Sequence, residues 1–250
     1  MSVKFLGFVI ALIWLAMGDA VAQTNGIDTI KALVSDAIGT REGAWFSYRD
    51  SYRLMIRFEK YGGPKQFIQN HLQLALTDKK VSAEGMRLTL EGHSIHLNLP
   101  LDPVGRAVFP MLKVAYDENA ELRVNRPASV VTLEQRVSIL TRSDGVYEVP
   151  DLRAACDQVL QYQRYASFLS YRLKQCVGVQ FVYAKDSANP VLQFRTVEHV
   201  QVRLPAKEGG AFGGDSINAF TVAVFRFSDW SEKGQVISNN VPLAIAPMFD

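Results

Sequence analysis

Short segments in which apolar and polar residues alternate recur along the chain, and this period limits the folds open to it. Two examples are the run IQNHLQLAL at 68–76 and the run IHLNLPL at 95–101. Successive side chains of a strand point to opposite faces of a sheet, so such runs form strands with one buried face. Turn-forming residues such as Gly62-Gly63-Pro64 separate them. Short strands spaced in this way are typical of sandwiches and barrels.

Further strands are expected throughout the chain. In the first half they fall at 86–90, 112–115, 120–124, 130–133 and 136–140. In the second half the candidates are VQFVYA, VLQFRTV, VQVRLP, FTVAVFRF and QVISNNVPLAIA. The segment KEGGAFGGDS between two of these strands is glycine-rich, and we expect it to be a mobile loop.

Residues 47–66, SYRDSYRLMIRFEKYGGPKQ, place Arg49, Arg53 and Arg57 four residues apart. Apolar residues at every second position of 52–58 favour a strand, with 51–77 forming a hairpin. The arginines share a face in a strand and nearly share one in a helix. They are our candidate binding residues for an anionic partner, because guanidinium groups suit carboxylates and phosphates. The alternative is a solvated outer face.

Two helices interrupt the strand pattern. Residues 27–38 repeat apolar side chains at helical spacing and end at Gly39, which predicts a short N-terminal helix. A longer central helix is expected over 151–173, with Asp151 as its cap.

Cys156 and Cys176 are the two cysteines of the chain. An isolated pair in an oxidising compartment is most often one disulfide. An unbroken helix would hold residues 156 and 176 about 30 Å apart, whereas bridged Cα atoms lie within about 7 Å of each other. A disulfide therefore predicts that the helix ends or turns back before Cys176.

The first residues are typical of a secretory signal peptide. A basic start is followed by an apolar run at 5–17 and by small residues at Ala20 and Ala22, so we expect residues 1–22 to be removed before Gln23. The apolar run is shorter than the about 20 residues of a membrane-spanning helix. The sequence thus predicts a periplasmic or secreted protein without a transmembrane helix in the mature chain.

A faint internal repeat suggests two units. QLALTDK at 73–79 is similar to QFVYAKD at 180–186, and IHLNLPLD at 95–102 is similar to VQVRLPAK at 200–207. Both offsets match the length of one small domain, although amphipathic strands also resemble one another by chance. We therefore predict a mainly β chain with minor α: two antiparallel sandwich-like units, at 23–145 and at 146–250 with the central helix.

The sequence gives little indication of catalysis, metal binding or nucleic-acid binding. No catalytic motif is present for a serine nucleophile or a zinc hydrolase. His71, His93 and His96 invite a metal site, but residues three apart in one strand point to opposite faces. We predict no metal, no cofactor and no catalytic residue, and a net charge of +2 argues against nucleic acid as a partner.

The function expected is that of a non-enzymatic binding or accessory protein of the cell envelope. Its partner would be an anionic envelope component or another protein. Two alternatives stay open: a secreted hydrolase that uses scattered carboxylates, and an outer-membrane-associated β protein.

Overall fold

The computed structural model describes residues 43–187, 190–215, 217 and 219–250. These residues form mainly antiparallel sheets with few helices, as the alternating pattern predicts. The predicted signal peptide and the predicted helix at 27–38 lie outside the described residues. Within the described part of the chain, no helix has the length and apolar character needed to cross a membrane.

The elements of the first half are β1 (Ala44–Ser47), α1 (Tyr48–Lys60), β2 (Ile68–Leu76), β3 (Leu88–Glu91), β4 (His96–Leu99), β5 (Arg106–Ala107), α2 (Lys113–Asp117), β6 (Glu121–Val124) and β7 (Val131–Ile139). The second half contains β8 (Val146–Glu148), α3 (Val149–Ala166), α4 (Phe168–Tyr171), β9 (Cys176–Ala184), β10 (Leu192–Arg195), β11 (Gln201–Leu204), β12 (Ala206–Gly209), β13 (Phe220–Arg226), β14 (Gln235–Ser238) and β15 (Ala244–Phe249).

The described strands build two small sheets and one larger central sheet, and the strand order repeats. One small sheet has the order β1-β6-β3-β4, and the other has the order β8-β14-β10-β11. In the central sheet, β5-β2-β7 of the first half is matched by β13-β9-β15 of the second half, with β7 next to β15. Each half therefore carries the same arrangement of seven strands, and β12 is added at the edge of the second.

The two sequence echoes fall on equivalent strands of this repeated topology. The segments 73–79 and 180–186 begin within β2 and β9, and the segments 95–102 and 200–207 contain β4 and β11. The central sheet joins strands from both halves. The division into independent units at 23–145 and 146–250 stays a prediction.

A glycine precedes the first strand of each half at the same point. Gly43 and Gly145 both have positive φ angles, of 97° and 66°. A Cβ atom on Gly43 would overlap the carbonyl oxygen of Val124 at the end of β6, and one on Gly145 would overlap that of Ser238 at the end of β14. Only glycine fits where backbone approaches backbone this closely.

Residues 48–60 form a helix, so the strand predicted from the alternation at 52–58 and the hairpin predicted over 51–77 are wrong. The Ser47 side chain caps α1 by accepting a hydrogen bond from the Asp50 amide (3.2 Å). Tyr48, Met55 and Phe58 are buried along one side of the helix, the spacing of helical periodicity. The strand predicted at 112–115 is also wrong, because most of it lies in α2.

Helix α3 has Pro150 in its first turn and ends at Ala166, and Asp151 lies in the first turn rather than at the cap. The short helix α4 follows, and β9 begins at Cys176. Cys156 and Cys176 form a disulfide with a Cα–Cα distance of 6.0 Å. The predicted end of the helix before Cys176 is confirmed.

Different elements pack against the two faces of the central sheet. The front face packs against α1, α3 and the two small sheets through two large apolar clusters, which Phe58 and Tyr162 bring into contact (ring centroids 5.1 Å apart). The back face carries a small apolar cluster that includes Val104, Val182 and Phe212. This face also carries the buried polar residues Gln73, Arg106 and Ser138.

We expect Gly43→Ala and Gly145→Ala each to lower the free energy of unfolding by about 1–3 kcal/mol, since each forces a strained φ or moves a neighbouring strand. Gly62→Ala is the matched control, because a Cβ there meets no atom within 4 Å. Urea denaturation of the three variants measures the difference. A loss at Gly43 or Gly145 no larger than that at Gly62 would contradict the close approach.

Candidate functional site

Two loops cross the back face of the central sheet, and equivalent glutamines hold them. Gln73 on β2 donates its side-chain amide to the carbonyl oxygen of Val104 (3.0 Å), in the loop before β5. Gln180 on β9 donates in the same way to Gly210 (2.8 Å), in the loop before β13. These two glutamines open the first sequence echo. The repeat therefore includes the side chains that fasten each loop to the sheet.

Arg106 is a buried cation beneath the first loop, 5% exposed. Its guanidinium pairs with Asp102 (2.7 Å) and donates to the Ser138 hydroxyl (3.0 Å) and to the Leu243 carbonyl oxygen (2.7 Å). Leu243 directly precedes β15 of the second half. A buried charge is tolerated when it is paired and hydrogen-bonded, and here these bonds connect the two halves of the chain.

Arg136 on β7 is the second arginine of the back face. It donates to the Gln73 side-chain oxygen (2.6 Å) and pairs with Glu134 (3.0 Å) and with Asp215 of the second loop (3.4 Å). Its guanidinium carbon also lies 4.7 Å from the centroid of the Phe212 ring. This is the geometry of a cation–π contact, so β7 and the second loop are held together by charge and by an aromatic ring.

A cleft of about 420 Å³ opens between the two loops and the back face, and we call it the back cleft. Strands β2 and β7 form its floor, and the described walls come from residues 103–105, 213–215, 217, 219 and 220. The lining is mostly apolar, with a few polar groups, and includes Ala75, Met86, Val104, Ile217, Phe220, Thr132, Glu134, Arg136 and Asp215. Small-molecule sites combine these features at this size.

The polar end of the back cleft has more carboxylate than guanidinium. Glu134 and Asp215 both contact Arg136, whereas Arg106 is neutralised by Asp102. Burial raises the pKa of the Asp215 carboxyl above its ordinary value, although the Phe212 amide and Arg136 act in the opposite direction. An ionised Asp215 leaves one unit of excess negative charge, which a cationic group on a ligand would neutralise.

His71 on β2 also faces this side of the sheet. Burial lowers the pKa of His71; Arg106 lowers it further, whereas Asp102 raises it. Its Nδ1 atom is buried and has no hydrogen-bond partner among the described residues. The neutral form of the imidazole is therefore favoured in the folded protein.

The structure distributes the three predicted binding arginines along α1. Arg49 donates to the carbonyl oxygens of Tyr116 (2.6 Å) and Asp117 (3.0 Å), at the end of α2. Arg53 pairs with Asp50 (2.9 Å), and both side chains are exposed. Arg57 is exposed near the end of α1. Binding of an anionic partner by these arginines stays a prediction.

The three histidines that were weighed as metal ligands lie apart. His96 lies on β4 and His93 precedes it, both exposed on a small sheet, whereas His71 lies on the central sheet. Among the described residues, no three side chains of His, Cys, Asp or Glu come together in a way that could hold a metal ion.

The residues of the back cleft were not predicted from the sequence. Thr132, Glu134 and Arg136 occupy alternate positions of β7, next to Val131, Leu133, Gln135 and Val137. Polar residues at alternate positions are also the pattern of a solvated strand face. The glycine-rich segment, expected to be a loop only, begins within β12 and then provides Asp215 to the cleft lining and Phe212 to the contact with Arg136. The glutamine that opens both copies of the first echo was the one available indication.

Comparisons of the chain with protein-family models, with curated proteins and with solved structures found no match.

We expect acidification to destabilise the protein partly through His71. A folded-state pKa below the unfolded value of 6.5 means that the unfolded chain binds the proton more tightly. The contribution of His71 to the free energy of unfolding is therefore complete at a pH above the unfolded pKa. It is lost as the pH falls through the pKa of His71 in the folded protein. His71→Gln should lose less stability than the wild type when urea denaturation is repeated from about pH 7.5 to about pH 5.

The exposed His96 provides the control. His96→Gln should keep the wild-type dependence of stability on pH, because its side chain is 75% exposed. Equal acid sensitivity of His71→Gln and the wild type would show that another group is responsible.

Proposed function

We propose that the chain is an exported binding protein whose back cleft holds a small amphipathic ligand, an apolar molecule with a cationic amino group. The observation that carries this proposal is the pairing of Glu134 and Asp215 around the single guanidinium of Arg136, at one end of a mostly apolar cleft. Apolar surface provides affinity and a few placed polar groups fix orientation in sites of this kind.

The charge of the ligand follows from the electrostatics of the cleft. The Nε and Nη2 atoms of Arg136 already contact Gln73, Glu134 and Asp215, so an anion that approached Nη2 would compete with two carboxylates. A cation can instead donate hydrogen bonds to the carboxylate oxygens of Glu134 and Asp215, because each carboxylate oxygen can accept more than one hydrogen bond. Glu134 is suited to this contact because its side chain is 47% exposed.

Export is supported by two features. The signal-peptide pattern of residues 1–22 predicts it, and the Cys156–Cys176 disulfide is of the kind that persists in oxidising compartments. A periplasmic or secreted location would give the cleft access to small molecules and lipid fragments of the envelope.

Three compounds of equal chain length test the proposal: octylamine, octanoate and octanol. We expect calorimetry to show tighter binding of octylamine than of the other two. Glu134→Gln should weaken octylamine binding by about tenfold, since a hydrogen bond to a charged group contributes about 1.5–3 kcal/mol. Glu59→Gln is the matched control, because Glu59 is exposed on α1 and is not part of the cleft lining.

A second variant tests the location of the site. Ala75 lines the floor of the cleft between Gln73 and Thr77, so Ala75→Trp should fill the space and abolish binding of octylamine while the melting temperature shows that the protein is folded. Tighter binding of octanoate would reverse the assignment of charge. Binding that survives Ala75→Trp would place the ligand elsewhere.

A further inference from the structure

The segment between α3 and β9 exposes large apolar side chains to an unusual degree. Leu169 and Leu173 are 79% and 81% exposed, the highest values for large apolar residues in the described part of the chain, and Phe168 is 63% exposed. We call residues 165–174, which comprise the end of α3 and most of the connection to β9, the tip. Contiguous exposed apolar surface of this kind marks interaction sites rather than ordinary protein surface.

The charge of the tip has one sign. Arg172 and Lys174 are exposed among its apolar residues, and no Asp or Glu occurs between Asp157 and Asp186 in the sequence. Asp250 pairs with Gln175 through its backbone (3.1 Å) and so lies just beyond the end of the tip. The tip itself therefore combines exposed aliphatic and aromatic side chains with cations only.

The tip is held in place by the rest of the fold. The Cys156–Cys176 disulfide closes the loop that contains it. Arg164 donates to the carbonyl oxygens of Tyr171 (3.2 Å) and Lys174 (2.7 Å), and the Tyr171 ring packs against Phe249 (5.9 Å between centroids). A surface that is already ordered loses less conformational entropy when it binds.

The end of α1 lies beside the tip. Tyr61, which follows α1, packs against Tyr165 with ring centroids 5.1 Å apart. Arg57 and Lys60 in the last turn of α1 are exposed, so they extend the cationic character of this surface. Glu59 is the exposed acidic residue of the same turn.

We propose that the tip docks the protein on the surface of a lipid bilayer that contains anionic phospholipids. Phe168, Leu169 and Leu173 would enter the boundary between headgroups and acyl chains, while Arg172 and Lys174 contact lipid phosphates. Interfacial binding requires this combination of apolar side chains with Lys and Arg. The sign of the charge favours an anionic membrane over a neutral one and over a basic protein partner.

Sedimentation with vesicles tests the proposal. The protein should bind vesicles of phosphatidylcholine and phosphatidylglycerol, bind those of phosphatidylcholine alone at least tenfold more weakly, and be released from the anionic vesicles by salt. Arg172→Gln combined with Lys174→Gln should weaken binding to the anionic vesicles about 30-fold at low salt, at about 1 kcal/mol for each basic residue near the surface. Phe168→Ser combined with Leu169→Ser should weaken it at least tenfold.

Matched variants separate the tip from general charge and hydrophobicity. Lys79 and Lys80 are an exposed basic pair outside the tip, and Val108 is an exposed apolar residue on another segment. Lys79→Gln with Lys80→Gln, and Val108→Ser, should leave vesicle binding within about twofold of the wild type. Equal loss in these controls would overturn the assignment to the tip.

Two further outcomes would overturn the proposal. The first is failure of the wild-type protein to bind anionic vesicles. The second is dimerisation in solution that is lost in Phe168→Ser with Leu169→Ser while vesicle binding is unchanged, because the tip would then contact a second copy of the chain. Binding of octylamine to the back cleft is measured separately, so failure of either proposal leaves the other intact.

Discussion

The buried guanidinium of Arg106 connects the parts of the back face. Its partners come from the loop before β5, from β7 and from the residue before β15. Leaving such a charge without these partners would cost several kcal/mol, so the three segments are constrained to keep their relative positions. The floor and one wall of the back cleft are built from two of these segments, and its shape depends on a charge that does not itself line the cleft.

The repeated topology explains why a cleft forms at this place. In each half, a loop leaves the edge strand of the small sheet, β4 or β11, and crosses the back face. A glutamine at the equivalent position of β2 or β9 donates a hydrogen bond to that loop. The two loops approach each other where β7 lies next to β15. Loops held over one face of a sheet by hydrogen bonds leave space beneath and between them, and polar side chains of β7 face into that space.

The features that could be predicted from the sequence are those that depend on the pattern of neighbouring residues. Alternation gave most strands and the β-rich class, and the spacing of the cysteines limited the length of α3. The prediction failed at 52–58, where alternate apolar residues coincide with positions that a helix leaves half-buried, such as Tyr52, Leu54 and Ile56. The back cleft could not be predicted from the sequence, for a different reason. Arg136 meets Asp215 across 79 residues, and nothing local to either residue indicates that a loop will cover the strand.

The two halves differ in the places to which we assign function. Seven residues connect α1 to β2, whereas the corresponding connection from α3 to β9 contains α4 and carries the tip. Similarly, the loop before β5 is short and ends in a strand of two residues. Its counterpart in the second half adds β12 and a segment that supplies Asp215 to the back cleft and Phe212 to the contact with Arg136. The shared strands bury the apolar core and therefore tolerate little change. Insertions in surface connections cost little stability, so the longer connections of the second half can supply the tip and one wall of the back cleft without disturbing the strand arrangement that both halves share.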